Sequence, residues 1–406
     1  MPAALRVLAW LLLALAALVV AVWAWSQPAR PDAFYAADGL AAGAPGTPIR
    51  FEPFQRGVPA GARGWRLLYW SADADGRPVA ASALLLVPDD GRDTARPLLA
   101  WTHGTTGVAT GCAPSLLDEP FAHLPALPQA LAAGWAVVAP DYPGLGTAGV
   151  HGYLVGDGTA RASLDAIRAA RALAGIADLT GPVLVWGHSQ GGHTALWTAG
   201  LAPSHAPELP LAGVAALAPA SDLVALVRQA QATLAGRILS AYLVTAYLDA
   251  YPELDRAAVV RPGARWLLRD MARRCLAGRA ALVSVLQAQL AGGSLFADDP
   301  GAGAFGALLA GNVPVARIAV PVLIAQGEAD DLVLPAVQRD YARARCADGQ
   351  PLAWAAYAGR DHLSLVAPGS PLEGDLMAWS RDRLAGAPAP DDCPDLLAGT
   401  GTSTPD

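Results

Sequence analysis

PVLVWGHSQGGHTALWTAG, residues Pro182 to Gly200, decides the fold. Val183, Leu184, Val185 and Trp186 form an unbroken apolar run of the kind that fills a buried parallel strand. The run stops at Gly187-His188-Ser189-Gln190-Gly191, and a helix-compatible segment follows. Strand, sharp turn, helix is the context in which a G-x-S-x-G pattern carries meaning. Glycine on both sides of Ser189 fits a turn whose central residue is strained, because a side chain at either flank would strike the strand or the helix. Such a turn lifts a hydroxyl clear of the sheet. Bare G-x-S-x-G does arise by chance in glycine-rich chains; the flanking strand and helix argue against chance here.

Strands arrive steadily on both sides of this stretch. Trp65 to Ser71 and Val79 to Val87, separated by Asp73-Ala74-Asp75-Gly76-Arg77, read as an antiparallel hairpin. Leu98 to Trp101, Trp135 to Ala139, Val183 to Trp186, Val214 to Leu217, Val320 to Ala325 and Leu352 to Tyr357 follow. From the third strand onward the connections are long or helical, as parallel crossovers require. One is predicted over Arg161 to Ala174, with Leu164, Ile167 and Leu173 inward and Arg161, Asp165, Arg168 and Arg171 outward. The expected class is α/β: eight strands, mostly parallel. About 95 residues, 223–317, interrupt the rhythm with Ala- and Leu-rich helical segments such as Asp222 to Tyr247 and Arg265 to Leu290. That is too long for a crossover and reads as an inserted helical cap. The domain plan is therefore an export segment (1–26), an arm rich in Pro and Gly (27–64), core (65–222), cap (223–317), core (318–386) and a tail (387–406).

The chain has 406 residues, 53% hydrophobic and 16% charged, enough to bury a large core. A net charge of -7 without a Lys/Arg run leaves no electrostatic footprint for nucleic acid or an anionic surface. Val7 to Trp25 carries no charge over 19 residues and follows Arg6; as a helix it spans roughly 28 Å, close to a bilayer core. It reads equally as a signal peptide cut near Ala24-Trp25-Ser26 or as a membrane anchor. Four cysteines (Cys112, Cys275, Cys346, Cys393) lack any C-x-x-C spacing, so a zinc or thioredoxin-type site is unsupported, and behind an export segment two disulfides are the better reading. Spacing leaves all three pairings open.

A serine hydroxyl needs a base to take its proton and an acid to hold that base in one tautomer. In this class of fold the chain order is nucleophile, acid, base. Of seven histidines only His362 lies beyond the seventh strand, in the loop after the last one, which names it as the base for Ser189. Gly327-Glu328-Ala329-Asp330-Asp331 follows the preceding strand and offers Asp330 or Asp331 as the acid. Asp330 is preferred for its offset from the strand end, Asp222 is the alternative, and Asp361 is expected to face solvent. An oxyanion needs two backbone donors, each worth about 2.7 to 4 kcal/mol of transition-state stabilisation. The amide of Gln190 at the helix start is one; the loop Thr102-His103-Gly104-Thr105-Thr106-Gly107 supplies the other, assigned to Thr105. Gly144-Leu145-Gly146-Thr147-Ala148-Gly149 matches a dinucleotide-binding pattern, but the next helix is expected only near Arg161, too late for such a site. His188 and His193 are five apart without a neighbouring Glu, off the spacing of a zinc pair, and read as packing residues.

With these residues in hand, the chain resembles the secretory lipase family of α/β-hydrolases from about Phe34 to Cys393. The resemblance is carried by FYAADGLAAGAPGTPIR, THGTTGVATGCAPS, APDYPGLG with HGYLVGDGTARASLDAIRAAR, GHSQGG, QGEADDLV and GRDHL. It implies the α/β-hydrolase fold, a triad of Ser189, Asp330 and His362, a helical lid, and hydrolysis of acylglycerols or other carboxylic esters without cofactor or metal. It also implies pairing of Cys112 with Cys275 and of Cys346 with Cys393. The long N-terminal segment departs from a freely secreted enzyme, so the expected place is the cell envelope or the medium. An acyltransferase, a peptidase, or a catalytically silent binding module of the same fold are the other readings.

Overall fold

The computed structural model describes residues 3–173, 175–276 and 280–399. Among these, nine strands form one sheet: β1 (Pro48–Phe54), β2 (Ala62–Ala72), β3 (Pro78–Pro88), β4 (Leu98–Thr102), β5 (Ala136–Pro140), β6 (Val183–His188), β7 (Leu211–Leu217), β8 (Val322–Gly327) and β9 (Ala353–Tyr357). Their spatial order is β1-β2-β3-β5-β4-β6-β7-β8-β9, antiparallel from β1 through the β3–β5 pair and parallel from β5 to β9. Eight strands were expected; the additional one is β1, inside the segment read as an arm. Its sequence PIRFEPF carries proline near both ends and a glutamate, which weakens the strand pattern. Those same features suit an edge strand, and β1 pairs only with β2.

Alternate residues of the central strands feed two cores. Val183 and Val185 pack with helices α3 (Gly156–Arg171) and α4 (Gln190–His205) on one face. Leu184 and Trp186 pack with α2 (Leu127–Ala132) and α12 (Pro371–Leu384) on the other. Both faces being covered explains why β6 is apolar at every position from Val183 to Trp186 rather than alternating. Helix α1 (Ala3–Trp25) precedes the sheet and has no buried residue. Helix α11 (Pro335–Ala347) crosses from β8 to β9, and α13 (Cys393–Ala398) closes the described chain; residues 400–406 of the expected tail lie outside the described residues.

Between β7 and β8 the chain is helical, with its own core around Tyr242, Val244, Tyr247, Leu268 and Met271. It comprises α5 (Leu223–Ala230), α6 (Leu234–Ala250), α7 (Arg256–Val259), α8 (Arg265–Ala272), α9 (Ala280–Ala291) and α10 (Gly303–Gly311). The two long segments expected there are each split. Asp222–Tyr247 breaks at Thr233, whose side chain caps α6 by accepting from the Gly236 amide, and Arg265–Leu290 breaks around Cys275, which is held by a disulfide to Cys112. The second disulfide joins Cys346 to Cys393 and ties α13 to α11.

Two further readings are corrected. Helix α3 starts at Gly156, not near Arg161: the Gly156 amide, a first-turn donor, is satisfied by Asn312 Oδ1 at 3.0 Å, and Trp197 leaves room there only for glycine, since a Cβ would lie 2.2 Å from the indole ring. A glycine at a helix start selected by a distant ring has no local signature. The end of the expected helix, Ala174, lies outside the described residues. Asp165, expected outward, is fully buried, and accepts from Ser71 Oγ at 2.8 Å and Arg168 at 3.0 Å while facing His205 Nε2 at 3.0 Å. Helical periodicity marks a face, and here a partner helix and β2 cover the polar face as well.

Candidate active site

The turn between β6 and α4 holds Ser189 at φ 59° and ψ -119°, a conformation that side-chain-bearing residues rarely adopt. The flanking glycines have no room to be anything else. A Cβ on Gly187 would lie 2.1 Å from the Gly191 carbonyl oxygen, and one on Gly191 would lie 1.9 Å from that of Thr102. The Ser189 backbone is pinned by its amide donating to Leu217 at 2.9 Å and its carbonyl accepting from Ala220 at 3.1 Å. Its side chain makes no cap to α4.

His362, in the loop after β9, bonds through Nδ1 to Asp330 Oδ2 at 2.7 Å. The same carboxylate accepts from the amides of Leu332 (2.9 Å) and Val333 (2.8 Å) and from Gln326 Nε2 (3.2 Å). Four donors on two oxygens is the acceptor-only pattern of an ionised carboxylate, and it fixes the imidazole with Nδ1 protonated and Nε2 free to accept. Asp331 is exposed, Asp222 caps α5 by accepting from the Ala225 amide, and Asp361 is exposed and caps its own loop through Leu363 and Ser364. None of these three is bonded to His362 among the described contacts. Ser189, His362 and Thr105 line one cavity of about 1370 Å³, together with Leu239 of α6, Leu332, and Trp25 and Ser26 at the end of α1.

The loop after β4 passes directly against the serine. A Cβ on Gly104 would lie 3.8 Å from the Ser189 Cβ, which leaves Thr105 on the cavity wall, its Oγ1 2.9 Å from the Tyr153 hydroxyl. Gln190 heads α4, where a first-turn amide has no carbonyl within its own helix to bond. The Gln190 side chain is buried and donates through Nε2 to His151 Nε2 at 3.2 Å. His151 in turn lies with Nδ1 3.3 Å from the Pro143 carbonyl and stacks on Tyr142, which stacks on His103. Burial pushes His151 down to about 3 and His103 to about 4, so both are neutral. Neutral His151, donating from Nδ1, has Nε2 available to accept from the glutamine.

Sequence reading missed this support. His188 donates to the His362 carbonyl at 2.9 Å with its ring 4.6 Å from that of His362, and burial holds it well below its ordinary value. It therefore braces the loop that carries His362, beyond mere packing. His193 is a buried neutral ring, held at about 4 by burial and bonded to the Asn312 carbonyl at 2.7 Å. Asp141, raised by burial, accepts from Ser82 Oγ, Ser115 Oγ (both 2.6 Å) and the Ser115 amide (2.9 Å). The juxtaposition of Asp141 with Ser115 joins two of the quoted runs, APDYPGLG and THGTTGVATGCAPS, but nothing in their spacing pairs these two residues.

The secretory lipase family model matches residues 122–392. The chain belongs to the secretory lipase family. A relative from Mycobacterium tuberculosis, named "Probable inactive lipase", is 28% identical over 90% of this chain and 84% of its own. Lipase 6 of Candida albicans is 27% identical over 63% of this chain and 58% of its own length. Among solved structures, Candida antarctica lipase A superposes with TM-score 0.71 at 18% identity, covering 91% of this chain and 93% of that one. The rice cell wall degrading esterase LipA of Xanthomonas oryzae gives TM-score 0.64 at 23% identity over 78% and 92%. These likenesses give the α/β-hydrolase fold, and family and fold together support an ester-bond hydrolase. The α1 helix, the disulfides and the family agree with export.

Proposed function

We propose that this secretory-lipase chain hydrolyses carboxylic esters of acyl chains through an acyl-enzyme on Ser189. The observation that carries the reading is the strained Ser189 on the wall of the cavity that also exposes His362, whose Nδ1 is bonded to Asp330 at 2.7 Å. His362 Nε2 takes the hydroxyl proton as Ser189 Oγ attacks the ester carbonyl, and Asp330 stabilises the imidazolium that results. The backbone amides of Gln190 and Thr105 receive the negative charge on the carbonyl oxygen. His362 then passes its proton to the departing alkoxide, and water repeats the sequence in reverse to free the acid. No residue in this scheme calls for a metal or cofactor.

Ser189→Ala is expected to abolish turnover of p-nitrophenyl esters with the thermal unfolding midpoint retained; undiminished turnover would refute the assignment. The cavity, with Leu239 and Leu332 on its wall, fits an acyl chain, and rates measured along a series from acetate to palmitate esters define whether lipase or esterase is the better name. The name of the mycobacterial relative favours one second reading, a fold that binds without turning over. A fluorophosphonate probe separates the two, since it labels only an activated serine.

A further inference from the structure

Helix α9 is built inside out. Its inward face is small or polar: Ala280, Ser284, Gln287, Ala288 and Ala291 are buried. Its outward face is large and apolar, with Leu282 64%, Leu286 65% and Leu290 75% exposed, and Val285 beside them. The spacing of these four places them on one stripe. On neighbouring α8, Trp266 is 69% exposed, and Arg269 and Arg273 are exposed without a salt bridge among the described residues. A soluble helix puts its leucines inward; this one is patterned for an apolar medium outside.

What that medium is follows from where α1 ends. Ser26, 1% exposed, accepts from Arg274 Nε at 3.0 Å, and Arg274 Nη1 also reaches the Asp270 carbonyl of α8 at 2.7 Å and Gln287 Oε1 of α9 at 3.2 Å. The last turn of α1 is thus fastened to α8 and α9 by one buried guanidinium. Arg273 shares a crevice with Trp23 and Ala24 of α1. Helix α1 has 23 residues, none buried, and is long and apolar enough to cross a bilayer. A bilayer crossed by α1 then begins within reach of the α8–α9 element, whose outward face is a leucine stripe flanked by tryptophan and arginine, the residue types that settle at a lipid headgroup boundary.

We propose that the α9 stripe, with Trp266 and the α8 arginines, seats in the surface of the bilayer that α1 spans. The cavity holding Ser189 is lined by Trp25, Ser26 and Ala280, so this seating sets its rim at the headgroup level and directs membrane-borne acyl lipids to it. The seating itself is independent of the catalytic reading, and its test needs no turnover.

The full chain is reconstituted into vesicles of phosphatidylcholine with phosphatidylglycerol, carrying a nitroxide on Leu286→Cys or, as a control, on Asp340→Cys of α11. All native cysteines are in disulfides, so each variant has a single thiol. Seating predicts that the label at 286 is relaxed by oxygen and shielded from a water-soluble nickel chelate, with the reverse at 340. Equal access to the chelate at both sites overturns the proposal. Shielding from both reagents with spin–spin broadening at 286 overturns it in favour of a second copy covering the face. A Leu282→Glu, Leu286→Glu double variant is further expected to lower hydrolysis of vesicle-borne esters about tenfold or more with soluble esters unaffected; a parallel loss on soluble esters would instead indicate a damaged catalytic site.

Discussion

Ser189 keeps a backbone conformation that costs on the order of 1–3 kcal/mol for a residue with a Cβ, at φ 59° and ψ -119°. This makes an unusual comparison of two Ser189 variants possible. Glycine already exceeds alanine by some tenths of a kcal/mol at an ordinary helix N-cap, and here Ser189→Gly is expected to exceed Ser189→Ala by about 1–2 kcal/mol in urea unfolding, because glycine also escapes the strain. Equal stabilities would mean the turn is relaxed in solution. Asp330→Asn is expected to lower kcat on the order of 10³-fold or more, since an amide can donate to Nδ1 and select the wrong tautomer of His362; steady-state kinetics on a p-nitrophenyl ester checks it. His151→Phe removes the acceptor for the Gln190 side chain and is expected to reduce kcat more than it raises KM, through a loosened oxyanion amide. At this scale the placement of Ser189 in the turn after β6 and of His362 on the same cavity was legible because each sits in a short motif at a definite place in the strand order. Asp330 and Asp331 were separable only by a preference, because two adjacent carboxylates differ in loop geometry that sequence does not encode. His151 and His188 were not legible as supports because each bonds a residue far along the chain, His151 the Gln190 side chain and His188 the His362 carbonyl; Gln326 was not because its bonds to Asp330 and Val333 depend on how the loop after β8 folds back.

The β6–turn–α4 element tolerates almost no added volume. Thr102 Oγ1 donates to the carbonyls of Trp186 (3.0 Å) and Gly191 (2.8 Å), binding the end of β4 to the turn. Gly191→Ala drives a methyl to 1.9 Å from the Thr102 carbonyl oxygen and is expected to cost about 3 kcal/mol or more, or to prevent folding. Gly374→Ala on α12 meets nothing within 4 Å and is expected to add about 0.5–1 kcal/mol through better helix propensity. Chemical denaturation of the two variants beside the parent tests both, and a tolerated Gly191→Ala would count against the packing described. Elements with a continuous apolar run, such as β4 to β8, were legible in sequence. Those whose conformation is decided by a neighbour were not: β1 is held by β2, Gly156 by Trp197, and the break at Cys275 by its disulfide to Cys112.

The molecule as a whole carries four fully buried imidazoles, His103, His151, His188 and His193, each depressed first of all by desolvation. The unfolded chain takes up a proton at each near pH 6.5, whereas the folded chain resists until about pH 4 or lower. The unfolded state therefore binds more protons in that window, so stability is full above it and falls as pH drops through it. Near pH 5 His103, His151 and His193 each withdraw on the order of 2 kcal/mol, and His188 acts in the same direction. Asp141, raised by burial, acts in the opposite sense, one group against four. The urea midpoint is expected to fall steeply from neutral pH to about pH 5, and His193→Asn, which leaves the catalytic groups untouched, to flatten that slope; a midpoint independent of pH would contradict the burial of these rings. At the same scale, the central claim is that residues far apart in the chain, Ser189, Asp330 and His362, act as one proton-transfer unit at one edge of the sheet. The most direct measurement is peptide mass mapping after fluorophosphonate treatment of the parent and of His362→Ala. A phosphonyl adduct is expected on Ser189 in the parent, with its near-complete loss in the variant; an adduct elsewhere, or undiminished labelling of Ser189 without His362, would contradict the shared proton-transfer role.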